Sequence, residues 1–286
     1  MAEFSEATLT EAVLETLKGA DDARLKEVAA SLVRHLHGFI REARPTEAEW
    51  QRGLDFLAEV GRMCDDKRQE FNLLSDILGA TMLVDFVNHA GADGASESSV
   101  LGPFYRDGAA EMAMRANISR DGVGDPVIVA GRITDTAGAP LAGALLDVWQ
   151  TSPNGLYENQ DPDQPDMNLR ARFRTARDGA YAFRTVKPFS YPIPHDGPAG
   201  KLLRALGRHP YRPAHIHFIV SAKGFEPLTT QLFVDDDDYL DSDAVFGVKD
   251  SLVVDYVPLP DAEKQKAGMP DGEWLLDHDF KLDKAA

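Results

Sequence analysis

The segment YRPAHIHF, residues 211–218, sets His215 and His217 on either side of a single isoleucine in a run that reads as a buried strand. Strand side chains alternate faces, so both imidazoles point one way while Ala214, Ile216 and Phe218 point into the opposite layer. That spacing suits two ligands of one metal ion; it equally suits two satisfied or exposed imidazoles on a sheet face. The chain has one cysteine, Cys64, so an internal disulfide and a thiolate cluster are both excluded, and any further ligand is histidine, tyrosine or carboxylate. Carboxylates are plentiful, but none forms a His-x-Glu or facial-triad arrangement beside the pair. Two tyrosines stand out: Tyr157 in DVWQTSPNGLYEN, just past a strand, and Tyr191 in KPFSYPIPHDG, where prolines fix the backbone on both sides. A tyrosine in such a loop is usually a packing residue, so the case for a joint role rests on charge. A phenol ionises at about pH 10 in water, and only a strongly Lewis-acidic cation holds it as phenolate at neutral pH. Ferric iron is the natural candidate: two phenolates and two imidazoles leave one positive charge, which a hydroxide would neutralise. Zinc more often takes thiolates or three imidazoles, and ferrous oxygenases take two histidines and a carboxylate.

The elements that must hold these residues fall into two halves. Over the first ~100 residues apolar positions recur at three and four, the helical period. Leu25, Val28, Leu32 and Phe39 mark one face of a helix that ends before Pro45. Thr46 with Glu49 reads as a capping box, after which Trp50, Leu54 and Leu57 form a stripe expected to be buried. EFNLLSDILGATMLVDFVNHA reads as one further helix, apolar on several sides, and GADGASESSVLGP as a connecting loop. From Val127 the pattern changes to short runs rich in Val, Ile, Phe and Thr separated by turn residues. Arg177-Asp178-Gly179-Ala180, between RFRTA and YAFRTV, predicts a hairpin, because Asp-Gly suits the positive φ of two-residue turns. The expected fold is α+β: a helical dimerisation and linker domain over 1–100, then a β-sandwich catalytic domain over 101–286.

A formal net charge of -17 argues against nucleic acid and against docking on anionic membranes, which leaves a small molecule or another protein as partner. No uncharged apolar run of ~20 residues occurs and the first residues are acidic where a secretory signal is basic, so a cytoplasmic protein is expected.

The motifs DVWQTSPNGLYENQ, RARFRTARDGAYAFRTVKPFSYPIP and RPAHIHFIVSAKGFEPLTTQLF, in this order behind a helical region, resemble those of the intradiol ring-cleavage dioxygenases. These non-haem ferric enzymes open catechols between their two hydroxyl-bearing carbons. The resemblance implies one Fe(III) per subunit, held by Tyr157, Tyr191, His215 and His217, with Tyr191 displaced when the diol chelates the metal. It implies Arg212 and Gln231 as pocket residues beside the metal, and Leu73, Asp76, Val100, Leu101, Gly102, Pro103, Phe104, Ile193 and Arg212 as the lining of an aromatic pocket. SVLGPFYRDGA and NLLSDILG look more like the hydroxyquinol 1,2-dioxygenase branch than the catechol enzymes. The implied partners are therefore a small aromatic diol or triol and O2, with a homodimer formed through the N-terminal helices and a lipid held between them. Asp76, three residues after Leu73 on one helix face, is expected either to contact the third hydroxyl of hydroxyquinol or to be a solvated surface carboxylate.

Other features have plainer readings. Asp235 to Asp238 lack the spacing and glycine of an EF-hand and read as a solvated turn. His35, His37, His89, His195, His209 and His278 form no second cluster, and Trp149 reads as a core residue that braces the Tyr157 loop. Two rival functions remain: a catechol or chlorocatechol 1,2-dioxygenase with the same iron site, and a non-enzymatic β-sandwich ligand-binding module whose helices only dimerise.

Overall fold

The computed structural model describes residues 4–65, 68–89, 94–260 and 273–285; Gly91 to Asp93, the start of the expected connecting loop, lie outside the described residues. The chain divides into two compact units, Met1–Glu59 and Val60–Ala286.

The first unit holds α1 (Leu9–Thr16), α2 (Ala23–Ala43) and most of α3 (Glu47–Arg62). The α2 helix starts where the Asp22 carboxylate accepts from Leu25 N at 3.0 Å, and stops at Arg44, whose left-handed φ of 48° precedes Pro45. The capping box forms as the sequence predicts: Thr46 N donates to Glu49 Oε2 at 2.8 Å and Glu49 N to Thr46 Oγ1 at 3.3 Å. Its apolar stripe, however, is not buried. Trp50, Leu54 and Leu57 are 39%, 44% and 45% exposed, because three helices alone cannot cover every apolar face they carry.

In the second unit the long apolar helix is two helices, α4 (Glu70–Ile77) and α5 (Ala80–Asn88). Gly79, at φ 71°, takes the left-handed conformation between them and redirects the chain, so a single helix gives way to a bend. Five strands make the first sheet: β1 (Pro126–Asp135) pairs with β4 (Ala180–Val186), β11 (Trp274–Asp277) and β12 (Phe280–Leu282), and β11 with β10 (Val257–Pro258). The second sheet has the order β3 (Arg170–Arg174), β2 (Leu145–Trp149), β7 (His215–Ser221), β8 (Leu228–Val234) and β9 (Val253–Val254). Both sheets are mixed, since β1 runs parallel to β11 and β12, and β8 to β9. Between the sheets lies a core that includes Val129, Phe173, Phe183, Ile216 and Phe218.

The Asp178-Gly179 turn exists, with Gly179 at φ 76° and Ala176 N donating to Ala180 O at 2.9 Å, but it does not close a hairpin. Strand β3 pairs with β2 and β4 with β1, so the turn carries the chain from one sheet to the other. Phe173 and Phe183 explain the difference: facing each other across the sandwich, they stack with centroids 5.0 Å apart. A two-stranded ribbon, β5 (Tyr191–Pro192) with β6 (Tyr211–Arg212), and the helix α6 (Pro198–Ala205), which the sequence reading did not anticipate, complete the unit. No helix among the described residues is long and apolar enough to cross a membrane.

Candidate metal centre

The pleat puts His215 and His217 on one face of β7 and sends Ala214, Ile216 and Phe218 into the core, as the alternation predicts. Register then selects their neighbours. Trp149 on β2 and Gln231 on β8 both stand opposite His217, and the Trp149 ring stacks on the His217 ring at 4.6 Å and 8°. The β5–β6 ribbon pairs Tyr191 with Arg212 and so brings the second tyrosine alongside the cation. Tyr157 comes from the loop after β2, where Asn154 Oδ1 accepts from Leu156 N at 3.0 Å and Gln160 Oε1 from Tyr157 N at 3.0 Å. Gly155 makes this loop fit: it has φ 78°, and a Cβ there would lie 3.1 Å from Tyr191 Cβ.

Four donor atoms converge. Tyr157 Oη lies 3.0 Å from Tyr191 Oη and 3.0 Å from His217 Nε2; His215 Nε2 lies 3.0 Å from His217 Nε2 and 3.5 Å from Tyr191 Oη. His215 Nδ1 donates to Pro213 O at 2.7 Å, which leaves its Nε2 as an unprotonated lone pair aimed into the group. Burial pushes both phenols above their ordinary value, with the Arg212 charge pulling Tyr191 the other way. Burial, and then the nearby Arg212 cation, takes His215 down to about 3; burial and His215 hold His217 well down. Without a metal the centre is therefore two neutral imidazoles and two intact phenols, all buried.

This donor set fits a metal ion. Donors each ~2.0–2.1 Å from a common ion stand roughly 3 Å apart, the spacing seen here. A cation at the centre would satisfy the two nitrogens that face each other, and a hard trivalent one would compensate the loss of both phenol protons. Among the described residues no group of three or more His, Cys, Asp or Glu side chains could hold a metal.

The pocket residues divide. Leu73, Pro103, Phe104 and Ile193 line one cavity of about 580 Å³ together with Leu156 and His195. Phe104 stacks on the Tyr157 ring at 4.7 Å, so this wall of the cavity lies against the donors; Gly102 lines neither this cavity nor the second but packs on His217, whose Cε1 would lie 3.1 Å from a Cβ at that position. Val100 and Leu101 line a second cavity, of about 720 Å³, although Val100 O also accepts from Gln231 Nε2 at 2.5 Å. Asp76 lines neither: it is buried on α4, where its carboxyl accepts from Thr81 Oγ1 at 2.5 Å and burial raises its pKa against the pull of Thr81 and Arg212.

Gln231 Oε1 accepts from Arg212 Nη2 at 2.7 Å, which brings together the two residues expected beside the metal. Asp243 and Arg170 were not foreseen. Asp243 takes the Arg212 guanidinium on both oxygens, at 3.0 Å each, and although burial opposes its charge, that cation holds it below the usual carboxylate range. Arg170, fully buried, pairs with Glu158 at 2.6 Å and sets its guanidinium 5.6 Å from the Tyr157 ring centre. Trp149, expected in the core against the Tyr157 loop, shares a buried cluster with Tyr157 and Tyr191 and also stacks on His217. For Asp243, 31 residues after Arg212, no spacing rule gives a signal; Trp149 was reachable, since strand register would have set it beside His217. The remaining histidines make local contacts, as with His35 to Ser31 O and His209 to Ser242 Oγ, and in the acidic run Asp237 Oδ2 accepts from Ala214 N at 2.9 Å, fixing the entry to β7.

The chain matches two family models, "Catechol dioxygenase N terminus" over residues 22–96 and "Dioxygenase" over 100–283. It is 53% identical to the hydroxyquinol 1,2-dioxygenase of Rhizobium sp. (strain MTP-10005), covering 98% of this chain and 96% of that one. It is 46% identical to the 6-chlorohydroxyquinol 1,2-dioxygenase of Cupriavidus pinatubonensis, covering 99% of each. The solved structure of hydroxyquinol 1,2-dioxygenase from Pseudomonas putida DLL-E4 superposes with a TM-score of 0.93 at 45% identity, over 98% of this chain and 99% of that one.

Proposed function

Because the chain belongs to the intradiol ring-cleavage dioxygenase family, we propose that it opens hydroxyquinol, 1,2,4-trihydroxybenzene, with O2 between its adjacent hydroxyl-bearing carbons. The product is 3-hydroxy-cis,cis-muconate, which tautomerises to maleylacetate; both oxygen atoms enter it, so no reductant is consumed. The observation that carries this reading is the convergence of two phenols and two imidazoles, neighbouring donor atoms 3.0–3.5 Å apart, beside a cavity of about 580 Å³ whose apolar wall includes Leu73, Phe104 and Ile193. The family uses non-haem iron; here one Fe(III) per subunit, held by Tyr157, Tyr191, His215 and His217, would supply the Lewis acidity that binds the diol as its dianion and makes the ring reactive toward O2.

The protein's own residues do the rest. Tyr191 Oη would be the ligand that gives way and would accept one of the two diol protons, with a hydroxide accepting the other, a role that suits a residue on a two-residue strand. Tyr157 stays, pressed by Phe104 on its ring, and His215 is held by Pro213 O. Leu73, Pro103, Phe104 and Ile193 receive the ring. Arg212 sets a permanent charge beside the substrate, and Gln231 orients it. Asp76, which lines neither cavity but lies within electrostatic reach of Arg212, would have to turn its carboxyl from Thr81 Oγ1 to accept from the third hydroxyl and so select hydroxyquinol over catechol. The same reading makes residues 1–100 the dimerisation region of a cytoplasmic homodimer, with a lipid between paired helices, and 101–286 the catalytic domain.

Purified protein is expected to be red-brown from phenolate-to-Fe(III) charge transfer, with oxygen uptake faster on hydroxyquinol than on catechol or chlorocatechols. A colourless protein full of zinc would overturn the proposal, and an Asp76→Asn enzyme with unchanged preference for hydroxyquinol would remove Asp76 from it.

A further inference from the structure

Arg212 has five N–H donors on three nitrogens, and the structure accounts for them unequally. Nε donates to Asp243 Oδ1 at 3.0 Å; Nη2 donates to Asp243 Oδ2 at 3.0 Å and to Gln231 Oε1 at 2.7 Å. Nη1 lies 3.1 Å from His215 Nε2, the lone pair a metal would take, and the guanidinium is also within hydrogen-bonding reach of the Tyr191 phenol, whose oxygen the same metal would take. We propose that Asp243 is a positioning residue: by committing Nε and Nη2 it leaves Nη1 as the one nitrogen turned to the substrate, and fixes where that donor stands. The inference rests on the function proposed above.

The surroundings of Asp243 are built for this. Its carboxylate also accepts from Val245 N at 3.2 Å and from Gly247 N at 2.9 Å, so the loop Asp243–Gly247 closes around it. Phe246, within that loop, is held at φ 60°, a conformation a bulky side chain seldom adopts, with the Arg208 guanidinium 4.7 Å from its ring centre. Arg208 ties the loop to α4 by donating to Ala244 O at 2.9 Å and Ile77 O at 2.5 Å, and Ser99 Oγ donates to Gly247 O at 2.7 Å. Gly247 is not left-handed, so its reason for being glycine is room: a Cβ there would lie 2.7 Å from Arg212 Nη2 and 3.2 Å from Asp243 Oδ2.

Two variants separate charge from position. Asp243→Asn keeps the shape and removes the negative charge; Gly247→Ala keeps every charge and pushes the guanidinium aside. In iron-loaded enzyme both are expected to keep the wild-type visible band at rest, because the four ligands are untouched. Both shift the band of the anaerobic hydroxyquinol complex and lower kcat by about 10- to 100-fold, with KM changed far less. Wild-type kcat in either variant at full iron content overturns the inference, as does a loss of kcat in both that only tracks lost iron or lost thermal stability. Should Asp243→Asn alone fail to load iron, Gly247→Ala decides by itself. Wild-type protein that does not cleave hydroxyquinol would instead overturn the function, which keeps the two failures apart.

Discussion

At the residue scale, the candidate centre is made of groups that burial keeps neutral in the absence of a cation. Tyr157→Phe tests this directly: it removes one donor atom and retains the ring that Phe104 packs against. The variant is expected to fold, to bind less iron than wild type and to lose the long-wavelength charge-transfer colour, as read by metal analysis and the visible spectrum. A second prediction concerns Asp147, which lies off the centre and accepts from Tyr105 Oη at 3.2 Å. Burial raises its pKa to about 6, against the pull of Tyr105 and Arg172. The folded state then binds the proton more tightly than the unfolded chain, whose value is 3.8, so this group's contribution to stability falls as pH rises from about 4 to about 6. Asp147→Asn is expected to gain stability relative to wild type across that window and hold the gain at pH 7, as measured by urea unfolding at pH 5 and 7. That His215 and His217 share one face was legible because period-two alternation fixes where they point, and the convergence of Tyr157 and Tyr191 on them is what the expected site requires. Asp243 was not legible, since only the folded path of a loop brings it to Arg212.

At the element scale, turns decide how near the loops come to the strands. Local chemistry showed that a turn exists at Asp178-Gly179, but the destination of its two strands depends on Phe173 and Phe183 meeting across the sandwich. The same holds for Gly79, a glycine inside a helical pattern that proved to be a break. Periodicity reports the face a segment buries, whereas its partner is chosen by long-range packing. Gly155 gives an element-scale prediction. Its φ of 78° would cost an L-residue roughly 1–2 kcal/mol, and a Cβ would press on Tyr191 Cβ at 3.1 Å. Gly155→Ala should therefore lower both stability, by about that amount, and iron content, because the turn that carries Tyr157 is displaced against the other tyrosine. Gly138→Ala, also at positive φ but with nothing within 4 Å of its Cβ, is the control: a similar loss of stability with iron content unchanged.

At the scale of the whole molecule, the exposed apolar surface of the helices calls for a partner. On α2, Leu25, Val28, Leu32, Leu36 and Phe39 recur along one face, and Leu32 and Phe39 are 65% and 56% exposed. On α3, Trp50, Leu54 and Leu57 are exposed as well. A run of large apolar side chains of this length marks an association surface, and self-pairing is the simplest closed way to cover it. Charge works in the opposite direction: each chain carries -17, so two copies repel, and added salt screens that repulsion without weakening apolar burial. A dimer built this way tightens as salt rises, whereas one held by ion pairs would loosen. Sedimentation equilibrium is expected to give twice the 31.3 kDa chain mass at micromolar concentration, with less dissociation at 0.5 M than at about 0.05 M salt. Leu32→Asp with Phe39→Asp should give monomers, and because all four metal donors lie within Val60–Ala286, those monomers should remain red-brown. A wild-type monomer, or a dimer that salt loosens, would remove the apolar helices as the cause of association and leave the centre unaffected.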